Sequence, residues 1–257
     1  MTPFRIGLFS FGILVGIGGQ AIAAQEISPD SAFLSSGSYT EASTLLEKTI
    51  FRVDAAILTL RLGAETTSAL RDLVRQNQAP ESVEERVVAL VVRARDASAR
   101  LQFLRGIGFE RFLNEIRDGV ETSRKAGLVD RAFARSLSDS FPVWYSPLRD
   151  RGVRDGDAMF YFISGDTLRT VFRTGNGEVL VDEINVGSMP RLSVLGGFLG
   201  PGSDFRRGLL ESLSRAISGD PEATGSLQRL LVDRGLACGE VEKAAQDSFP
   251  DDLDQGG

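Results

Sequence analysis

The pattern of apolar and polar positions is sharpest between residues 155 and 213. Ala158–Ser164, 167–174 and 178–184 alternate as strands do, and Gly165-Asp166 and Gly175-Asn176-Gly177 separate them. Glycine and asparagine supply the positive-φ conformations that short hairpin loops require, so this stretch predicts a three-strand meander. In its first strand Met159, Tyr161 and Ile163 oppose Phe160 and Phe162. With apolar residues on both sides, that strand is expected centrally, covered on both faces or lining a cavity. In the second strand Leu168, Thr170 and Phe172 oppose Arg169, Val171 and Arg173. A glycine-rich passage, 195–202, and a helix over 204–213 follow.

Upstream the periods are mixed. Residues 40–46 suit a short helical turn, and 49–62 read as a long strand, with Arg52 and Asp54 two apart and on one face. Leu70, Leu73 and Val74 predict a helix over 66–76, and Ala79-Pro80-Glu81-Ser82 a loop. The valine-rich run 85–94 predicts a strand, and 97–104 the start of a helix. A second helix is expected over 109–126, where Phe112, Leu113, Ile116 and Val120 form one stripe. A third spans 130–141 and is ended by Pro142, shortly before Trp144 and Tyr145. This order points to an α+β domain: a largely antiparallel sheet with helices packed on one face. Residues 218–225 read as a linker, 226–245 as loose helix, and 248–257 as an acidic tail.

The N-terminus changes the picture. Arg5 precedes an apolar run, 6–17, and Ala21-Ile22-Ala23 matches a small-x-small cleavage site. A secretory signal over 1–24, cut after Ala23 or Ala24, leaves a domain over 25–217 and an extracytoplasmic chain, periplasmic or secreted. An uncleaved anchor is the alternative, since 6–24 nearly spans a bilayer. No cysteine follows the apolar run, which excludes a lipoprotein signal.

Of 257 residues, 42% are hydrophobic and 25% charged, as in an ordinary globular domain. The net charge of −6 argues against nucleic acid as a partner. There is no histidine and one cysteine, Cys238, so His-based nucleophilic catalysis, His-ligated zinc and an internal disulfide are all excluded. Nothing in the sequence calls for a metal or any other cofactor. Basic residues are nearly all arginine, with lysine only at 48, 125 and 243. A carboxylate site in this chain therefore falls to arginine, whose planar fork suits it.

Three passages carry a resemblance to a known family. They are the strand 49–60, which opens with Phe51-Arg52; the passage 88–120, read as a strand, then Arg95-Asp96-Ala97-Ser98, then a helix; and 152–213, with Gly156-Asp157 before the meander and Leu195-Gly196-Gly197-Phe198-Leu199-Gly200 after it. Over residues 35–215 the chain resembles the chalcone isomerase family, in particular its signal-bearing bacterial members. The resemblance implies an open-faced β-sandwich with a cleft between sheet and helices. Plant enzymes of the family hold a flavonoid there; non-catalytic relatives bind fatty acids through an Arg and a Tyr.

The enzyme's polar residues carry over poorly. Its catalytic Arg lies in a turn upstream of the strand threonine, and this chain has no Arg between Arg5 and Arg52. The strand threonine falls at Asp54, the helix tyrosine at or beside Arg111, the helix asparagine at Asp118, and the last polar position near Arg191. These four are the candidate ligand-binding residues, with Arg111 and Arg191 suited to a carboxylate. The competing arrangement pairs both arginines with Asp54 and Asp118. Tyr161 and Trp144 are expected in the core, the glycine cluster in a tight turn with close packing, and Asp155 and Asp157 in a solvated turn. The expected function is non-catalytic binding of a small apolar ligand such as a fatty acid. The alternative is an isomerase acting on a flavonoid-like or other apolar substrate, and a third reading is a side-chain-filled cleft that binds a protein partner. An open apolar cavity with an arginine at its mouth favours the first, and perturbed titratable groups facing it favour the second.

Overall fold

The computed structural model describes residues 39–47, 54–75 and 80–218, together with Pro29 and Ala32. The signal segment, the strand start at 49–53 and the tail after Ser218 lie outside the described residues. Six strands form one antiparallel sheet in sequence order: β1 (Thr40–Glu47), β2 (Asp54–Leu62), β3 (Asp96–Phe103), β4 (Ala158–Ser164), β5 (Thr167–Arg173) and β6 (Val179–Val186). Among the described residues these helices accompany them: α1 (Ala64–Arg75), α2 (Pro80–Val92), α3 (Phe109–Lys125), α4 (Arg131–Trp144), α5 (Ser188–Leu199) and α6 (Arg206–Ser218). Among the described residues, no helix is long and apolar enough to cross a membrane.

Period-two alternation gives the sheet two unlike faces. Leu58, Leu60, Ala99, Met159, Tyr161 and Phe172 point to the helix side and are buried. The opposite face is mixed: Arg100 and Arg173 stack over Phe160, and Arg169 pairs with Asp182. The central position expected for 158–164 holds, since β4 sits between β3 and β5 with Phe160 buried on one side and Met159 on the other. The expected helix 109–126 also forms.

Four expectations fail for physical reasons. Residues 40–46 are strand, because Thr40, Ala42 and Thr44 turn inward against β2 while Glu41 faces out to Arg61. Residues 85–94 are helix and 97–103 strand, the reverse of the predicted order. In α2, Val83, Val87 and Val91 recur every fourth residue, and Pro80 opens the helix where its missing N–H costs nothing. In β3, Ala97, Ala99 and Phe103 face the core. Small alanines and helix-favouring residues between them mask that alternation. Pro142 lies inside α4, which continues to Trp144.

The fourth concerns the glycines. Gly196 and Gly197 lie within α5, not in a turn, and let it approach α3 closely. A Cβ on Gly197 would stand 3.1 Å from the Gly119 carbonyl, and one on Gly196 would collide with Leu128 and Ser123. The Ser123 hydroxyl donates to the Ser193 carbonyl at 2.6 Å across the same contact. At the open edge of the sheet α6 covers β1, where the Ser43 N–H donates to Ser212 Oγ at 3.0 Å.

Candidate functional site

Between the helix-side face of the sheet and α3, α4 and α5 lies a cavity of about 450 Å³. Its size and mostly apolar wall are those of a small-molecule site. Leu101, Phe103, Tyr161 and Leu168 contribute from the strands, and Phe112, Ile116, Phe141 and Phe198 from the helices. The strand register gives its direction. One end is the row Leu46–Ala56–Phe103 and the other the row Leu168–Asn185, which pairs through Ile163 with Ala97. Six residues of β3 separate those rows, roughly 20 Å at strand rise.

The aromatic wall is built by edge-to-face contacts. Phe112 packs against Tyr145 with ring centres 5.1 Å apart and against Phe172 at 6.0 Å, while Tyr161 packs against Phe198 at 5.7 Å. Tyr145 and Tyr161 are thus core residues that also line the cavity. Both phenol O–H groups donate to the Met159 thioether. Burial pushes both phenols above the ordinary tyrosine range, and the nearby Tyr161 and Glu183 push Tyr145 further. They are neutral hydrogen-bond donors at any physiological pH.

Of the four residues expected at the site, Arg111 and Asp118 line the cavity from α3. Arg111 is 57% exposed and faces Glu115 at 3.9 Å, one helical turn on. Arg191 is not among the lining residues. It is 10% exposed, its Nε lies 3.5 Å from Asp166, and it donates to the Arg93 carbonyl at 3.3 Å. It therefore ties the β4–β5 turn and the end of α2 to α5. Asp54 opens β2 opposite Glu47, and its side chain lies outside the described residues. The pairing of Arg111 and Arg191 with Asp54 and Asp118 is thus not what the described residues make: their partners are Glu115 and Asp166.

Two further charged positions differ from expectation or were passed over. Asp157 is 1% exposed rather than solvated. It accepts from both Arg151 guanidinium nitrogens, at 2.9 and 3.2 Å, from the Arg154 N–H at 2.8 Å and from the Gly175 N–H at 3.0 Å. Arg105, between β3 and α3, also lines the cavity. The sequence signal for it was the pair Gly106 and Gly108 just after an apolar run, which marks a loop; reading a helix through 104 concealed it.

No family model matches the chain. No curated protein matches it either. Among solved structures, the crystal structure of an Arabidopsis thaliana fatty-acid binding protein matches with a TM-score of 0.50 and 15% sequence identity, covering 69% of this chain and 87% of that one. The chain has the chalcone isomerase-like fold. The cavity between sheet and helices is where the sequence resemblance places the family's cleft.

Proposed function

We propose that the protein is a non-catalytic binder of a small apolar ligand such as a fatty acid, acting outside the cytoplasm. The observation that carries this reading is the apolar cavity of about 450 Å³ with Arg105 and Arg111 in its wall. The fatty-acid binding protein that shares the fold supports it. The raised phenols of Tyr145 and Tyr161 are perturbed titratable groups that face the cavity, and they favour as the second reading an isomerase acting on an apolar substrate. The extracytoplasmic location rests on the sequence of residues 1–24 alone.

Native mass spectrometry of the protein purified from its own compartment, followed by lipid extraction, tests both parts. The expected result is a chain cut after Ala23 or Ala24 carrying one apolar carboxylate per molecule. An intact N-terminus would overturn the cleaved-signal reading. A ligand-free protein that also takes up no fatty acid in solution would overturn the binder reading.

A further inference from the structure

Resting on that reading, we infer that Arg105 is the anchor for the ligand's head group, and that the ligand is a single-chain monocarboxylate lying along the strands with its head at the Arg105 end. Among the described residues lining the cavity, Arg105 alone has a side-chain polar atom that is shielded from water and lacks a hydrogen-bond partner, its Nε. Arg105 is half-buried, and a shielded N–H such as its Nε is normally matched by an acceptor, because an unmet donor away from water is costly. A carboxylate is the acceptor whose geometry matches the guanidinium fork.

The other cations near the cavity are spoken for or distant. Arg111 has Glu115. Lys125 lies at the opposite end of α3 from Arg111, roughly 21 Å away at helical rise. Arg191 is held by Asp166 outside the cavity.

Arg105 is also presented rigidly. Before it, the Phe103 N–H donates to the Asp157 carbonyl at 2.9 Å and the Phe103 carbonyl accepts from the Gly156 N–H at 3.0 Å. After it, Ile107 and Val153 exchange both backbone hydrogen bonds at 3.0 Å. Only Leu104, Arg105 and Gly106 lie between these pins. The 151–157 segment that supplies the pins is itself fixed by the buried Asp157 carboxylate and by Gly152, whose φ of +63° leaves a Cβ only 2.6 Å from the Ile107 carbonyl. A side chain held this way needs little reordering to meet its ligand.

The position sets the pose. Arg105 stands two residues beyond Phe103, at the row that ends the cavity, so the tail has the length of the cavity ahead of it. One chain fits that channel with its charge at one end.

The test is calorimetric titration of the mature chain, stripped of lipid, with dodecanoate and with dodecanol, the same tail without the charge. The acid is expected to bind roughly ten- to a hundred-fold more tightly than the alcohol. Arg105→Gln should erase that preference while leaving the alcohol's affinity alone. Arg105→Lys, which keeps the charge but loses the fork, should retain part of it, and Arg191→Gln all of it. Equal binding of acid and alcohol by the unaltered protein, or an acid preference that survives Arg105→Gln, would overturn the anchor while leaving the cavity a binder. Binding of neither probe would overturn the binding reading and the anchor with it.

Discussion

Arg105 and Arg191 each shield the Nε of a guanidinium from water, and they teach opposite lessons. Arg191 has a carboxylate within 3.5 Å and a backbone carbonyl within 3.3 Å, and those two contacts join three elements of the fold. Arg105 is held just as firmly through its backbone, yet the described residues offer its Nε nothing. A buried cation with its counter-charge supplied by the chain is a structural tie. A half-buried cation whose shielded Nε lacks one marks where a counter-charge from elsewhere fits. Of two arginines that look alike in sequence, only the surroundings tell which is which.

The contrast can be broken most forcefully at Asp157. Replacing it with Ala strips the buried partner of Arg151 and should cost about 3 kcal/mol in urea denaturation. It should also speed amide exchange at 104–107 and leave 188–193 unchanged. Exchange rising equally in both segments would mean that the Arg105 loop is not specifically pinned by this carboxylate.

A smaller pair of effects compares the arginines directly. Asp166→Ala leaves Arg191 short of its partner and should cost about 1 kcal/mol, since the aspartate is half exposed. Arg105→Met removes an unmatched donor and should leave the ligand-free protein unchanged or up to about 1 kcal/mol more stable. Destabilisation by Arg105→Met comparable to that by Asp166→Ala would show that Arg105 is another tie.

The smallest effect is invisible at neutral pH. Tyr145 and Tyr161 are raised in the folded chain, so below the ordinary tyrosine value of about 10 both states keep the proton and pH has no leverage through them. Above it the unfolded chain ionises first, and stability falls as pH climbs toward the raised folded values. Tyr161→Phe should flatten the fall in melting temperature above pH 10; an unchanged slope would remove that phenol as its source.

What the sequence disclosed follows from how locally each feature is determined. The β4–β6 meander was legible because glycine and asparagine turns fix the hairpins and the strands between them alternate cleanly. Helices α3 and α4 were legible from their stripes. The inversion at 80–103 was not, because valine-rich α2 has a helical stripe hidden in a strand-like composition, while β3 faces the core with the small, helix-favouring Ala97 and Ala99. For the site, the presence of Arg111 and Asp118 in the cavity wall could be inferred from the helix they share. The separation of Arg191 from the cavity could not, because its partner Asp166 sits in a hairpin turn whose distance from α5 only the assembled fold defines. Arg105 was lost with the misread strand that delivers it.

The glycine contact between α3 and α5 has a consequence for how such a chain can diversify. Gly119 and Gly197 are part of the cavity's lining; a Cβ on Gly197 would press on the Gly119 backbone of α3 at 3.1 Å, and one on Gly196 would push aside the Leu128 and Ser123 side chains. That contact holds the spacing of the two helices. Substitutions that reshape the chamber have to come from the strands and from α4, so in descendants of this sequence the taste for one tail length over another would drift on the sheet side while the helical spine stayed the same.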